Sequence, residues 1–176
     1  MTFGNPSDFA LEAESDATPR SPPGTVWGHM RAWCCGRAIG RFDELHCGLS
    51  GVQRELSRIA DRLNLLVSPL LSGLSDESAW EFLDTALYID DGRPDEDVEL
   101  DADAWSRHSF LTNSSEAFDG YKGFIFRRDS ESLRILVRDS DNLLLAFTVT
   151  SAGYVSAVRD FERWCKAITD GPSRVV

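Results

Sequence analysis

The residues with the most chemistry in this 176-residue chain are its four cysteines, three histidines and clustered acids, and their spacing decides what they could do. Cys34, Cys35, His46 and Cys47 are the types that ligate zinc. Neighbouring residues on a strand point to opposite faces, and the C-x-x-C spacing that brings two thiolates to one ion is missing, so these thiols read as core residues. Cys35 with His29 or His108 and an acid could form a nucleophile and base, but no G-x-S-x-G or similar signature surrounds any Ser or Cys. Asp139-x-Asp141 fits a hairpin turn better than a metal pair. The acidic run Asp90 to Asp103 lacks the ligand order of a calcium loop, and Gly36-x-x-x-Gly40 lacks the Lys-Ser/Thr ending of a phosphate loop. Paired carboxylates stay open, because any two acids can meet in space. The expectation is a protein with no catalytic residues, no cofactor and no metal.

Charge is concentrated. Asp90 to Asp103 holds eight acids and one base, Arg93, which makes −7 of the chain's net −11. Such a field repels nucleic acid and membrane surfaces and speeds encounter with a basic partner. No apolar run approaches the roughly 20 residues of a membrane-spanning helix. Met1 to Asp16 has neither the basic start nor the apolar core of an export signal, since Asp8, Glu12 and Glu14 stand where that core belongs. The protein is therefore expected to be soluble and cytoplasmic, with free thiols in a reducing compartment.

These residues need elements to hold them. Phe9 to Glu14 alternates as a strand with one buried face, after a turn at Gly4-Asn5-Pro6-Ser7. Ala17 to Gly24, with Pro19, Pro22 and Pro23, reads as an exposed loop. Thr25–Cys35 and Arg37–Phe42 read as a hairpin about Cys35-Gly36-Arg37, with Trp27 and Trp33 on one face and Val26, Met30, Ala32 and Cys34 on the other. Ser50-Gly51-Val52-Gln53 has the form of a capping box ahead of a helix with Val52, Leu56, Ile59 and Leu63 on one face. Ser75 can cap a second helix that carries Trp80, Leu83 and Leu87 inward and ends near Ile89. The acidic segment at 90–103 reads as a loop.

From Lys122 the period returns to two, giving three strands over 122–128, 133–138 and 143–150 with polar turns between them. Ser151 then caps a last helix with Tyr154, Val158, Phe161, Cys165 and Ile168 on one face. Most of the five tryptophans fall at positions expected to face the core, and Trp105 lies beside the acidic segment. Strands, helices, strands and a final helix indicate one α+β domain over 1–176, with a mostly antiparallel sheet of five to six strands packed against about three helices.

Three strings in this order carry a family resemblance: Phe3-Gly4-Asn5-Pro6-Ser7-Asp8-Phe9-Ala10-Leu11-Glu12, then Val26 to Trp33 through Gly36 and Ile39-Gly40, then Glu116-Ala117-Phe118-Asp119-Gly120-Tyr121-Lys122. The chain resembles the polymorphic-toxin immunity proteins of immunity protein family forty-two. The resemblance implies a bacterial α+β protein that binds and neutralises a cognate toxin and catalyses nothing. The Pro-rich and acidic segments look peculiar to this chain, so a function placed there is not inherited from the family. Interbacterial nuclease toxins are often basic, which makes the acidic segment the expected contact, through Asp91, Asp95, Glu96, Asp97 and Glu99, with Trp105 as an anchor. Two other classes compete: a small cytoplasmic enzyme, which would need His29, His108 and Cys35 to converge in one pocket, and an acidic intracellular adaptor.

Overall fold

Phe9, Leu11 and Ala13 alternate along one face of their strand, and all three are fully buried. The computed structural model describes residues 1–16, 24–42, 46–112 and 114–170. The Pro-rich loop expected at 17–24 lies outside them except for Gly24, which sits in a turn. In chain order come β1 (Thr2–Gly4), β2 (Phe9–Ser15), β3 (Trp27–Cys34), β4 (Arg37–Ile39), β5 (Cys47–Gly48), α1 (Leu49–Asp61), α2 (Pro69–Gly73), α3 (Asp76–Tyr88) and α4 (Asp95–Trp105). They are followed by β6 (Lys122–Arg127), β7 (Ser132–Arg138), β8 (Leu144–Thr150) and α5 (Ser151–Thr169), with short 3-10 turns at Leu63–Leu66, Ser106–His108 and Glu116–Phe118.

The class is α+β with antiparallel strand pairing, as the order of elements implies. The strands divide between two sheets: a five-stranded one ordered β1-β2-β3-β4, with β5 on the far end of β3, and a three-stranded one ordered β6-β7-β8. The β3–β4 hairpin turns at Cys35 and Gly36, both at positive φ (51° and 83°), which is the backbone that matches strand twist in a two-residue turn. The β7–β8 turn is held by Asp139, whose Oδ1 accepts from the backbone N–H of Asp141 at 3.0 Å and of Leu143 at 3.1 Å. Asp139-x-Asp141 is thus turn chemistry.

The second sheet is buried on both faces, and this sets the layers. Leu133, Ile135 and Val137 of β7 join the inner face of the first sheet, α1 and α5 in the main core. Phe124 and Phe126 of β6 and Leu136 of β7 point the other way, into a smaller core with Leu71, Trp80 and Leu83. Ion pairs fasten α3 over that second face. Arg134 donates to Asp76, Arg138 to Glu77 and Lys122 to Asp84, while the Arg138 guanidinium lies 5.2 Å from the Trp80 ring.

The Gly4-to-Asp8 turn is a joint. Gly4 has φ +92°, and a Cβ there would come within 2.7 Å of Ala157 Cβ on α5, so a side chain would force the helix away. Asp8 accepts from Thr150 N–H at 2.8 Å and from the Thr150 hydroxyl at 2.5 Å. Its own carbonyl accepts from Cys35 N–H at 2.8 Å. One turn therefore ties the first sheet to the second sheet and to the start of α5.

Several local expectations change. Ser50 does not cap α1: its hydroxyl accepts from Val26 N–H at 2.9 Å, so it links helix to strand, and Gln53 donates to Ser57 one turn on. The cap of α5 is Thr150, one residue before Ser151, with Oγ1 accepting from Gly153 N–H at 3.0 Å. Ser75 does cap α3, through Ser78 N–H. Trp27 and Trp33 stand on the outer face of the first sheet and are only partly buried, so of the five tryptophans Trp80 is the one fully inside. Arg31 and Glu12 on that face give Trp33 its partners: Glu12 accepts from Arg31 and from Trp33 Nε1, and Arg31 lies 4.8 Å from the Trp33 ring. Leu143 and Ile168, expected inward, are exposed. Among the described residues no helix is long and apolar enough to cross a membrane.

Candidate functional site

The acidic segment is a helix, not a loop. Pro94 ends the preceding turn, and Asp95, Glu96 and Asp97 occupy the first turn of α4, where carboxylates interact favourably with the free N–H groups and the positive end of the helix dipole. No residue of α4 is fully buried. A helix this polar keeps its place through a few fixed contacts, and Arg93 supplies most of them. Its guanidinium donates to Asp101 on α4 and to the carbonyl oxygens of Thr85 (3.1 Å) and Ala86 (2.9 Å) at the end of α3. It thereby covers carbonyls that the helix leaves without partners.

We expect Arg93→Ala to loosen α4 against α3. Loss of hydrogen bonds to charged groups costs on the order of 2 kcal/mol, which corresponds to amide exchange in 95–105 faster by about 10- to 100-fold. Strands of the main core should exchange as before. Unchanged exchange in α4 would show that Arg93 is not its anchor.

The residues expected at the contact fall as follows. Asp91 lies in the turn before α4 and faces the Arg93 guanidinium at 3.3 Å. Asp95, Glu96, Asp97 and Glu99 are all exposed on α4 and form no ion pair among the described residues. Trp105 ends α4 half-buried, packed edge-on against Phe82 with ring centroids 4.8 Å apart. It braces the helix on the smaller core. The apolar group that projects instead is Leu100, 67% exposed. One helical turn from Glu96, Asp97 and Asp103, it is ringed by carboxylates. Its exposure depends on which face α3 covers, and a one-dimensional pattern does not give that.

The candidate catalytic groups do not come together. Cys35 is exposed in the β3–β4 turn with Sγ 3.3 Å from the Thr148 carbonyl. His108 is buried with Nδ1 2.9 Å from the Ile125 carbonyl, and burial first, with Arg107 beside it, holds its pKa down. His29 lies on the outer face of the first sheet against Phe42 and His46. Each has separate surroundings. Burial pushes the Cys47 and Cys165 thiols up, to about 11 and about 12, and raises Cys34 further, so these three are protonated core thiols. A cleft of about 320 Å³ opens between α3 and the edge of the second sheet, with Lys122 and Asp84 on its wall. Their charges are spent on each other at 2.5 Å, and Lys122 also sits 4.7 Å from the Tyr88 ring.

The chain can thus offer a partner an exposed acidic helix with an apolar centre, mounted on the layer that α3 and its ion pairs form on the second sheet. Among known proteins, the fold is similar to that in the crystal structure of CdiI from Burkholderia dolosa AUO158, with a TM-score of 0.66 at 20% sequence identity over 93% of this chain and 99% of that one. No curated protein matches it. The family model described as immunity protein 42 matches residues 1–164, the span from β1 into the last turns of α5 that holds both sheets and the acidic helix, and the chain belongs to that family.

Proposed function

We propose that this immunity protein neutralises its cognate toxin by stoichiometric binding, not by catalysis, and that it does so in the cytoplasm through the exposed face of α4. The observation that carries this reading is a helix with no buried residue, four exposed acids outside any ion pair among the described residues, and a leucine projecting among them. A helix kept only for its own fold buries an apolar stripe. Desolvated apolar centres ringed by polar groups are where interfaces concentrate their energy. The partner that fits is a basic surface with room for one aliphatic side chain. A nuclease-type toxin must present such a surface to phosphates, so α4 would occupy the place of the substrate backbone.

This reading predicts a toxin gene immediately upstream, and the test is co-expression with that neighbour, together with titration of the purified pair. Growth should be rescued, and toxin activity should fall linearly with added protein and vanish at one equivalent. Protection at a small fraction of an equivalent would mean turnover and overturn the binding mechanism. Failure to rescue or to bind would overturn the pairing.

A further inference from the structure

Three neighbouring strands of the first sheet bring Asp16, His29 and His46 to one point on its outer face. β2 and β3 pair with Glu14 opposite His29, and Asp16, one step beyond the end of β2, donates its N–H to the Trp27 carbonyl at 2.8 Å. On the other side of β3, Cys47 of β5 pairs with Gly28, so His46 stands across from His29. Parity then does the rest: Cys47 turns inward and is buried, and His46 turns outward. The two imidazole rings lie 4.3 Å apart between centroids, and His46 Nδ1 is 2.8 Å from Asp16 Oδ1. One ligand atom from each of the three side chains lies within 4.8 Å of the other two.

A second observation points to something between them. His29 Nδ1 is buried and has no hydrogen-bond partner among the described residues. A buried polar atom without a partner is uncommon in folded proteins and calls for an explanation, an ion being one of the ordinary ones. Two imidazole nitrogens and a carboxylate oxygen form a donor set typical of first-row divalent ions, zinc above all, and unsuited to calcium or magnesium, which prefer oxygen. Asp16 and His29 are partly buried and His46 is exposed, so the group opens to solvent on the His46 side, where water can complete a tetrahedron.

We propose that Asp16, His29 and His46 bind a divalent transition-metal ion of the zinc type, which staples the end of β2 and the residue before β5 to the middle strand β3. The site does not depend on how the toxin is bound. Because its ligands come from three strands and are separated by up to 30 positions, the spacing rules that find contiguous zinc motifs pass over it.

The experiment uses the full chain, stripped with a chelator and titrated with zinc by calorimetry, with cobalt(II) as a spectroscopic probe. We expect one equivalent bound, visible cobalt bands of a nitrogen- and oxygen-ligated ion without thiolate charge transfer, and a higher Tm with zinc than without it. The His29 and His46 imidazole signals should shift in NMR spectra of the wild-type chain, a readout that needs no variant to fold. H29Q and H46Q should each weaken binding by at least about 100-fold. C35S, which removes the exposed thiol, should leave binding unchanged. Absence of stoichiometric binding, thiolate bands, imidazole signals that do not move, or binding that survives both histidine variants would overturn the proposal.

Discussion

Replacing Asp91, Asp95, Glu96, Asp97 and Glu99 together by lysine is expected to weaken toxin binding by at least about 100-fold at low ionic strength, with most of the loss in the association rate. The substitution turns the net −7 of the 90–103 segment into +3, so a field that draws a basic partner in becomes one that repels it. The wild-type affinity should fall as salt is raised, because exposed charges more than about 10 Å apart are screened at 0.1 M. The variant's affinity should be flat or rise. Lysines in the first turn also oppose the helix dipole, at roughly 0.3–1 kcal/mol each, so some loss could come from a frayed α4. A second variant with Asn and Gln at the same positions separates the two effects: it keeps the polar shape, and it should lose affinity and salt dependence together while circular dichroism stays that of the wild type. If both variants bind as the wild type does with the same salt dependence, α4 is not the contact.

Trp80→Ala should be the most damaging single substitution for the layer that carries α4, at about 3–5 kcal/mol. Trp80 is 2% exposed, meets Phe124 edge-on at a centroid distance of 4.8 Å and lies under the Arg138 guanidinium. The neighbouring rings of Phe124 and Phe126 are fixed on β6, so little can collapse into the space left. The loss should appear in urea unfolding as a lower midpoint. In hydrogen exchange, the amides of α3 and α4 should open at denaturant concentrations where β2, β3 and α5 still hold. A change under about 1 kcal/mol, or an unfolding in which all elements open together at the same midpoint as the wild type, would contradict the view that Trp80 secures this layer.

Much of this was legible in the chain because single faces are buried. Phe9, Leu11 and Ala13, the Val52-Leu56-Ile59 stripe, Trp80 with Leu83, and Leu133-Ile135-Val137 all fall where their periods put them. What failed was of another kind. The sequence of α4 reads as a loop because Val98, Leu100 and Trp105 make no inward stripe among so many acids. The signal it does carry is the Pro94-Asp95-Glu96-Asp97 start, in which proline and carboxylates favour a helix N-terminus for reasons unrelated to hydrophobicity. The division into two sheets was hidden because alternation tells which side a residue takes, not which element covers it. Phe124 and Phe126 flank Ile125 in a run whose two sides feed different cores. Ser50 misled because a capping box describes neighbours in sequence, whereas its hydroxyl found a backbone donor 24 residues away. The acids of the candidate contact were readable from charge alone. Leu100 was not, since only packing shows which apolar residues stay outside.

The two faces of the second sheet also divide the chain by what can vary. One face closes the main core with α1 and α5, and the other carries α3 and, through Phe82 and Trp105, the acidic helix. Substitutions on the solvent side of α4 therefore reach no atom of the main core. On the proposed reading of α4 as the toxin contact, a lineage whose toxin changes would be free to rewrite that helix step by step, through intermediates that still fold, without touching the joint at Asp8 or the first sheet. On that reading the acidic helix is an interchangeable key cut on a common shank.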